Sequence, residues 1–98
     1  METTIDGLEV HTLTVHKDNR GWFKENWSGQ KLTPKQHNVS FNARRGTTRG
    51  MHAEPWDKWV SVATGRVFGA WVDMREGSAT FGEKFTCEIG PDTAVFVP

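Results

Sequence analysis

His52 is the side chain in this sequence best suited to move a proton, with Arg49 before it and Lys58 after it. An imidazole changes charge near neutrality, so a histidine among cations can act as a general base while the cations steady a developing anion. On spacing alone, a structural or surface histidine is the more economical reading. An extended chain turns Arg49 and Met51 to one side and Gly50 and His52 to the other, unless a distortion at Gly50 intervenes. The His52-x-Glu54 pair is a weak metal signal, because no second histidine follows within two positions. Metal-free chemistry with no cofactor is the expectation. His11 and His16 fall in an alternating surface strand and carry no expected chemistry.

Arg20, Arg44, Arg45, Arg49, Arg66 and Arg75 are many arginines for a chain of zero formal net charge. The guanidinium fork suits bidentate contact with phosphate, although solvated strand faces account for several of them. The glycine-rich phosphate loops of nucleotide enzymes are absent, so side chains must hold any phosphate. Twelve basic residues balanced by twelve acidic ones argue against a nucleic-acid footprint. No long apolar run or secretory layout occurs, so the chain reads as soluble and cytoplasmic, with no membrane partner. The single cysteine, Cys87, fits a reducing compartment and reads best as a small buried hydrophobe.

These side chains must be positioned by strands. The 98 residues suffice for one small domain, and ten Gly with four Pro favour turns over long helices. Leu8 and Val10 alternate, as do Leu13 and Val15, with a phase slip between the pairs that fits a bulge or corner. A polar turn at 17–21 precedes an aromatic strand over 22–27. The polar connection 28–36, with Pro34, has room for one short helical turn. Alternation over 38–42 and an extended segment over 47–53 predict two further strands, and Pro55 breaks the second. Segments 58–63 and 66–74 predict a hairpin about Thr64-Gly65, with Val60 and Val62 on one face of its first arm and Phe68, Ala70 and Val72 on one face of its second. Segments 81–89 and 94–97 predict two more strands, joined by a turn at Gly90-Pro91-Asp92. Seven or eight short strands make the fold class all-β, a sandwich or jelly roll.

Several motifs carry more than spacing. Asp18-Asn19-Arg20-Gly21-Trp22-Phe23-Lys24-Glu25 resembles the Asp-x-Arg-Gly-Phe-Phe-x-Glu opening of dTDP-4-dehydrorhamnose 3,5-epimerases. Gln36-His37-Asn38-Val39-Ser40 resembles that family's Gln-x-Asn-x-Ser strand, and Thr48-Arg49-Gly50-Met51-His52 its Leu-Arg-Gly-Leu-His segment. Lys58-Trp59-Val60, Gly65-Arg66-Val67, Val72-Asp73-Met74-Arg75 and Ser78-Ala79-Thr80-Phe81-Gly82 continue the resemblance in order.

The resemblance implies a cupin-type β jelly roll, metal-independent and dimeric by strand exchange. Its reaction inverts C3 and C5 of dTDP-4-dehydro-6-deoxy-D-glucose, in dTDP-L-rhamnose biosynthesis. It covers essentially the whole chain but about the first half of the family's domain, so residues 1–98 read as a single domain truncated after Pro98. By resemblance, His52 is the base and Lys58 the cation beside the enolate oxygen. Arg49 holds the diphosphate, Arg20 and Glu25 meet the nucleotide, and Gln36, His37 and Asn38 line the pocket. The family's acid is a tyrosine, and this chain has none. The aspartate that orients the histidine falls beyond Pro98, and Asp73 matches a structural position instead. The segment between His52 and Lys58 reads as shorter than usual for the family. The 98-residue chain is therefore expected to turn over little or nothing. The rival expectation is a non-catalytic nucleotide-sugar-binding cupin module.

Overall fold

A computed structural model describes all residues from Met1 to Pro98. It contains seven strands and no helix: β1 (Glu9–Thr12), β2 (Val15–Asp18), β3 (Gly21–Lys24), β4 (Lys58–Ser61), β5 (Val67–Val72), β6 (Lys84–Ile89) and β7 (Thr93–Val97). They form three antiparallel sheets, ordered β1-β7-β4, β2-β3 and β5-β6.

Two of these sheets enclose the core. In the first, Val10, Val95 and Val60 lie opposite one another across β1, β7 and β4. In the second, the alternation of strand faces puts Trp71, Phe85, Cys87 and Ile89 on the same side. The two apolar faces meet around Ile5, Leu8 and Val62, with Leu8 and Ile89 each 2 % exposed. Burial raises the Cys87 thiol pKa, as expected for a cysteine acting as a hydrophobe. Gly69 belongs to this arrangement, because the Trp71 ring lies where a side chain at position 69 would stand.

The predicted hairpin of 58–63 with 66–74 does not form. β4 pairs with β7 and β5 with β6, so the intervening residues carry the chain from one sheet to the other. Val62 points into the core at this corner, and Gly65 (φ +84°) provides the left-handed turn. Alternation reports which face each arm shows. It holds no information on the neighbouring strand, and core closure places Val60 beside Val95. The predicted face of Phe68, Ala70 and Val72 is the outer one, and Phe68 is 72 % exposed.

The phase slip after β1 is a real corner. β1 ends at Thr12, the Leu13 amide donates to the Asp92 carbonyl at 2.7 Å, and β2 leaves for a separate sheet. β2 and β3 make a hairpin around Asn19-Arg20, with Asp18 opposite Gly21 (φ +137°). The strand expected over 22–27 ends at Lys24, and that expected from 81 starts at Lys84.

The largest departure is the connection from 25 to 57. The strands predicted over 38–42 and 47–53 have no ladder partners, and Val39 and Phe41 are each 82 % exposed. Alternating residues become a strand only beside a free edge, and no edge of these sheets reaches them. No helical turn forms over 28–36 either. There the Trp27 indole donates to the Gln30 carbonyl at 2.9 Å, and the Ser28 amide to the Gln30 side chain at 2.8 Å, closing a local loop. No helix in the chain is long and apolar enough to cross a membrane.

Candidate active site

The proposed base and its neighbours sit at the end of the 25–57 connection, where it re-enters the sheet. Three contacts attach the end of β3 and the beginning of that connection. Lys24 Nζ donates to the Val62 carbonyl at 2.7 Å, the Trp59 indole to the Asn26 carbonyl at 2.8 Å, and Lys31 pairs with Glu9 at 2.7 Å. Partial burial lowers the Lys24 pKa, against the opposing pull of Asp92. Lys31 holds the Glu9 carboxyl below its ordinary value, with His11 adding to the effect. His11 adds a structural contact here: its Nε2 lies 3.0 Å from Glu9 and its ring 4.9 Å from that of Trp59.

Arg49 folds back on its own segment. Its Nε donates to Asn42 Oδ1 at 2.6 Å, and a terminal nitrogen reaches the Phe41 carbonyl at 3.4 Å. Gly50 follows at φ +119°, a conformation that suits glycine, and a side chain there would meet His52 Cδ2 at 3.4 Å. His52 itself is exposed. Lys58 opens β4, and its ammonium lies 2.8 Å from the Glu54 carboxylate. That hydrogen bond lowers the Glu54 pKa. Desolvation opposes it, and the charges of Lys58 and His52 reinforce it.

Arg20 lies at the tip of the β2–β3 hairpin, 2.6 Å from Asp18, whose carboxyl it holds below its usual value. Two open depressions flank this hairpin. One, of about 290 Å³, is bordered by Arg20, Trp22 and Phe23. The other, of about 350 Å³, is bordered by Thr12, His16, Phe23, Glu25 and Gln30. His52 and Lys58 border neither. Gln36, His37 and Asn38 are exposed along the unpaired connection. No hydrogen bond or ion pair joins any two of the expected site residues. Arg20 is spent on Asp18, Arg49 on Asn42 and Lys58 on Glu54. No three His, Cys, Asp or Glu side chains gather in a metal-binding group.

Two participants escaped the sequence reading. Asn42 ends the segment that alternation over 38–42 predicts as a strand, yet it holds Arg49. Glu54 reads in the sequence only as half of a weak metal pair, because a four-residue offset from Lys58 signals an ion pair on a helix and no helix forms here.

The sequence model of the dTDP-4-dehydrorhamnose 3,5-epimerase family matches residues 2–98. The chain belongs to this family. Its similarity to the "Protein RmlC homolog" of Streptococcus pyogenes serotype M6 amounts to 47 % identity, over 96 % of this chain and 53 % of that protein. The dTDP-4-dehydrorhamnose 3,5-epimerase of Methanothermobacter thermautotrophicus is 33 % identical over 85 % of this chain and 50 % of its own length. RmlC from Streptococcus suis, solved in complex with dTDP-D-xylose, superimposes with a TM-score of 0.86 at 45 % identity, covering 97 % of this chain and 55 % of that one. The fold is thus that of the RmlC cupin over about half of it. The chain spans about half the length of the curated relatives it matches. The alignment with the S. pyogenes protein runs over 107 residues, more than the 98 present here, so that relative carries residues within the matched region that this chain lacks.

Proposed function

We propose that this chain forms the nucleotide-sugar-binding part of a dTDP-4-dehydro-6-deoxy-D-glucose 3,5-epimerase, with His52 as base and Lys58 as enolate-stabilising cation. The carrying observation is the fold match, at 45 % identity, to an RmlC solved with dTDP-D-xylose. The motifs from Asp18 to Gly82 occur in family order within it.

The chemistry follows from the substrate. C3 and C5 both flank the C4 carbonyl, so removing either proton leaves an enolate whose charge rests on the C4 oxygen. His52 accepts the carbon-bound proton and Lys58 faces the oxygen that gains charge. Inversion then requires a proton delivered to the opposite face of the same carbon. Arg49 takes the diphosphate, Arg20 and Glu25 the nucleotide across a strand-exchanged dimer, and Gln36, His37 and Asn38 the pocket wall. For Arg49 and Lys58, binding means exchanging Asn42 and Glu54 for substrate oxygens. The chain contains no tyrosine to serve as the opposing acid, so little or no turnover is expected from these 98 residues.

A second reading, a non-catalytic nucleotide-sugar-binding module, is favoured by one observation: no hydrogen bond or ion pair joins any two of the expected site residues. Two measurements on the 98-residue chain separate the readings. Calorimetry with dTDP should show binding that weakens about tenfold or more in Arg49→Ala, as expected for losing a charge-assisted phosphate contact. NMR in deuterium oxide should then show whether solvent deuterium enters C3 or C5 of a dTDP-4-keto sugar. The epimerase reading expects exchange without inversion, since the base is present and the opposing acid is not, whereas binding without exchange favours the module. Absence of both overturns the nucleotide-sugar reading.

A further inference from the structure

The carboxylate beside the proposed cation has no role in that reaction. Glu54 and Lys58 are 2.8 Å apart, with side chains 32 % and 35 % exposed, whereas the Arg20 side chain in its pair with Asp18 is 85 % exposed. Partial shielding makes the Glu54–Lys58 pair the less screened of the two. The pair is not a helical one, since no helix exists here. It spans a bend containing Pro55, whose ring fixes φ and stiffens the path between the partners. The residues ahead of the bend lack a strand ladder, so this ion pair fastens the His52 end of the connection to the first residue of β4.

We propose that Glu54 is a positioning residue of the site, holding the Lys58 ammonium at the root of β4 and tying the segment that carries His52 to it. The inference rests on the epimerase reading for the roles of His52 and Lys58, while the pairing stands on its own geometry. The Glu54 carboxyl titrates below its ordinary value because of Lys58, consistent with an occupied pair. With the site empty, Glu54 keeps the ammonium aimed. An anionic oxygen of the substrate then competes with a carboxylate already in place.

The test uses the 98-residue chain and trace acetylation by acetic anhydride, read peptide by peptide with mass spectrometry. Glu54→Gln keeps the shape and removes the charge. Lys58 should then label faster by roughly two- to fivefold, the scale of coupling in a partly exposed pair, while Lys17 and Lys84 keep their rates. A merely structural role would change the rates of many lysines together, or of none. In the reciprocal variant Lys58→Met, the NMR titration midpoint of the Glu54 carboxyl should rise toward its ordinary value. Unchanged Lys58 labelling together with an unchanged Glu54 midpoint would overturn the proposal. Neither measurement involves a nucleotide. If both shift while dTDP fails to bind, the pairing stands and the epimerase reading falls; if dTDP binds and neither shifts, the pairing falls and the nucleotide-sugar reading stands.

Discussion

Arg75 Nε donates to Asp73 Oδ1 at 2.9 Å, and its terminal nitrogen continues to the Asp6 carbonyl at 2.6 Å. One guanidinium thus joins a carboxylate with no exposed side-chain surface to the N-terminal segment. Asp73 also accepts from Ser78 Oγ at 2.6 Å and Thr80 Oγ1 at 2.7 Å, and Thr80 Oγ1 accepts from the Asp6 amide at 2.9 Å. The loop between β5 and β6 and the segment before β1 are therefore held by one group. Asp73→Ala, which strips the partners from these donors, should lower the melting temperature by roughly 5 °C or more, a loss visible by circular dichroism.

The same carboxyl makes stability depend on acid. The Arg75 hydrogen bond, followed by those from Ser78 and Thr80, holds the Asp73 pKa far below the carboxylate range. A depressed folded-state pKa gives stability that is complete above the unfolded value, about 3.9, and is lost as pH falls from there toward the folded value. Urea midpoints measured between pH 6 and pH 2 should fall below about pH 4. Asp73→Asn should flatten that fall. An equally steep fall in the variant would place the acid sensitivity elsewhere.

Leu8 tests the core. It is 2 % exposed and packs with Ile5, Val62, Ile89 and Val95 between the two sheets. Leu8→Ala should cost about 2–5 kcal/mol in urea unfolding, as for other buried leucine truncations. Only ten of the 98 residues are buried, so that loss should leave much of the variant unfolded at room temperature.

Gly69 tests the close approach of Trp71. Gly69→Ala places a methyl group where the indole now lies, so the ring must shift. The expected cost is about 1–3 kcal/mol, with altered tryptophan fluorescence in the folded state. A neutral effect on both would mean that the ring does not cover this backbone.

Trp59 tests the attachment of the 25–57 connection. Trp59→Phe keeps a ring near His11 but removes the indole donor to Asn26. Stability should fall by about 1 kcal/mol, and limited proteolysis within 25–57 should speed up.

The amino-acid sequence by itself determined the all-β class, the turns at Asn19-Arg20, Thr64-Gly65 and Gly90-Pro91-Asp92, and the break near Leu13. Each is a local property of glycine, proline and alternation, expressed within a few residues. The family was legible for the same reason, because its motifs are short and stand in order. Only the tertiary structure decided that β4 lies beside β7 and not β5, since alternation names a face and leaves the neighbour to core closure. It also decided that 38–42 and 47–53 remain unpaired, because an alternating segment becomes a strand only when a free edge is within reach. The same limit governs the site. Residue types marked His52, Arg49 and Lys58 as candidates, but the pairing of Lys58 with Glu54 and of Arg49 with Asn42 depends on where the folded chain delivers opposite charge and hydrogen-bond acceptors.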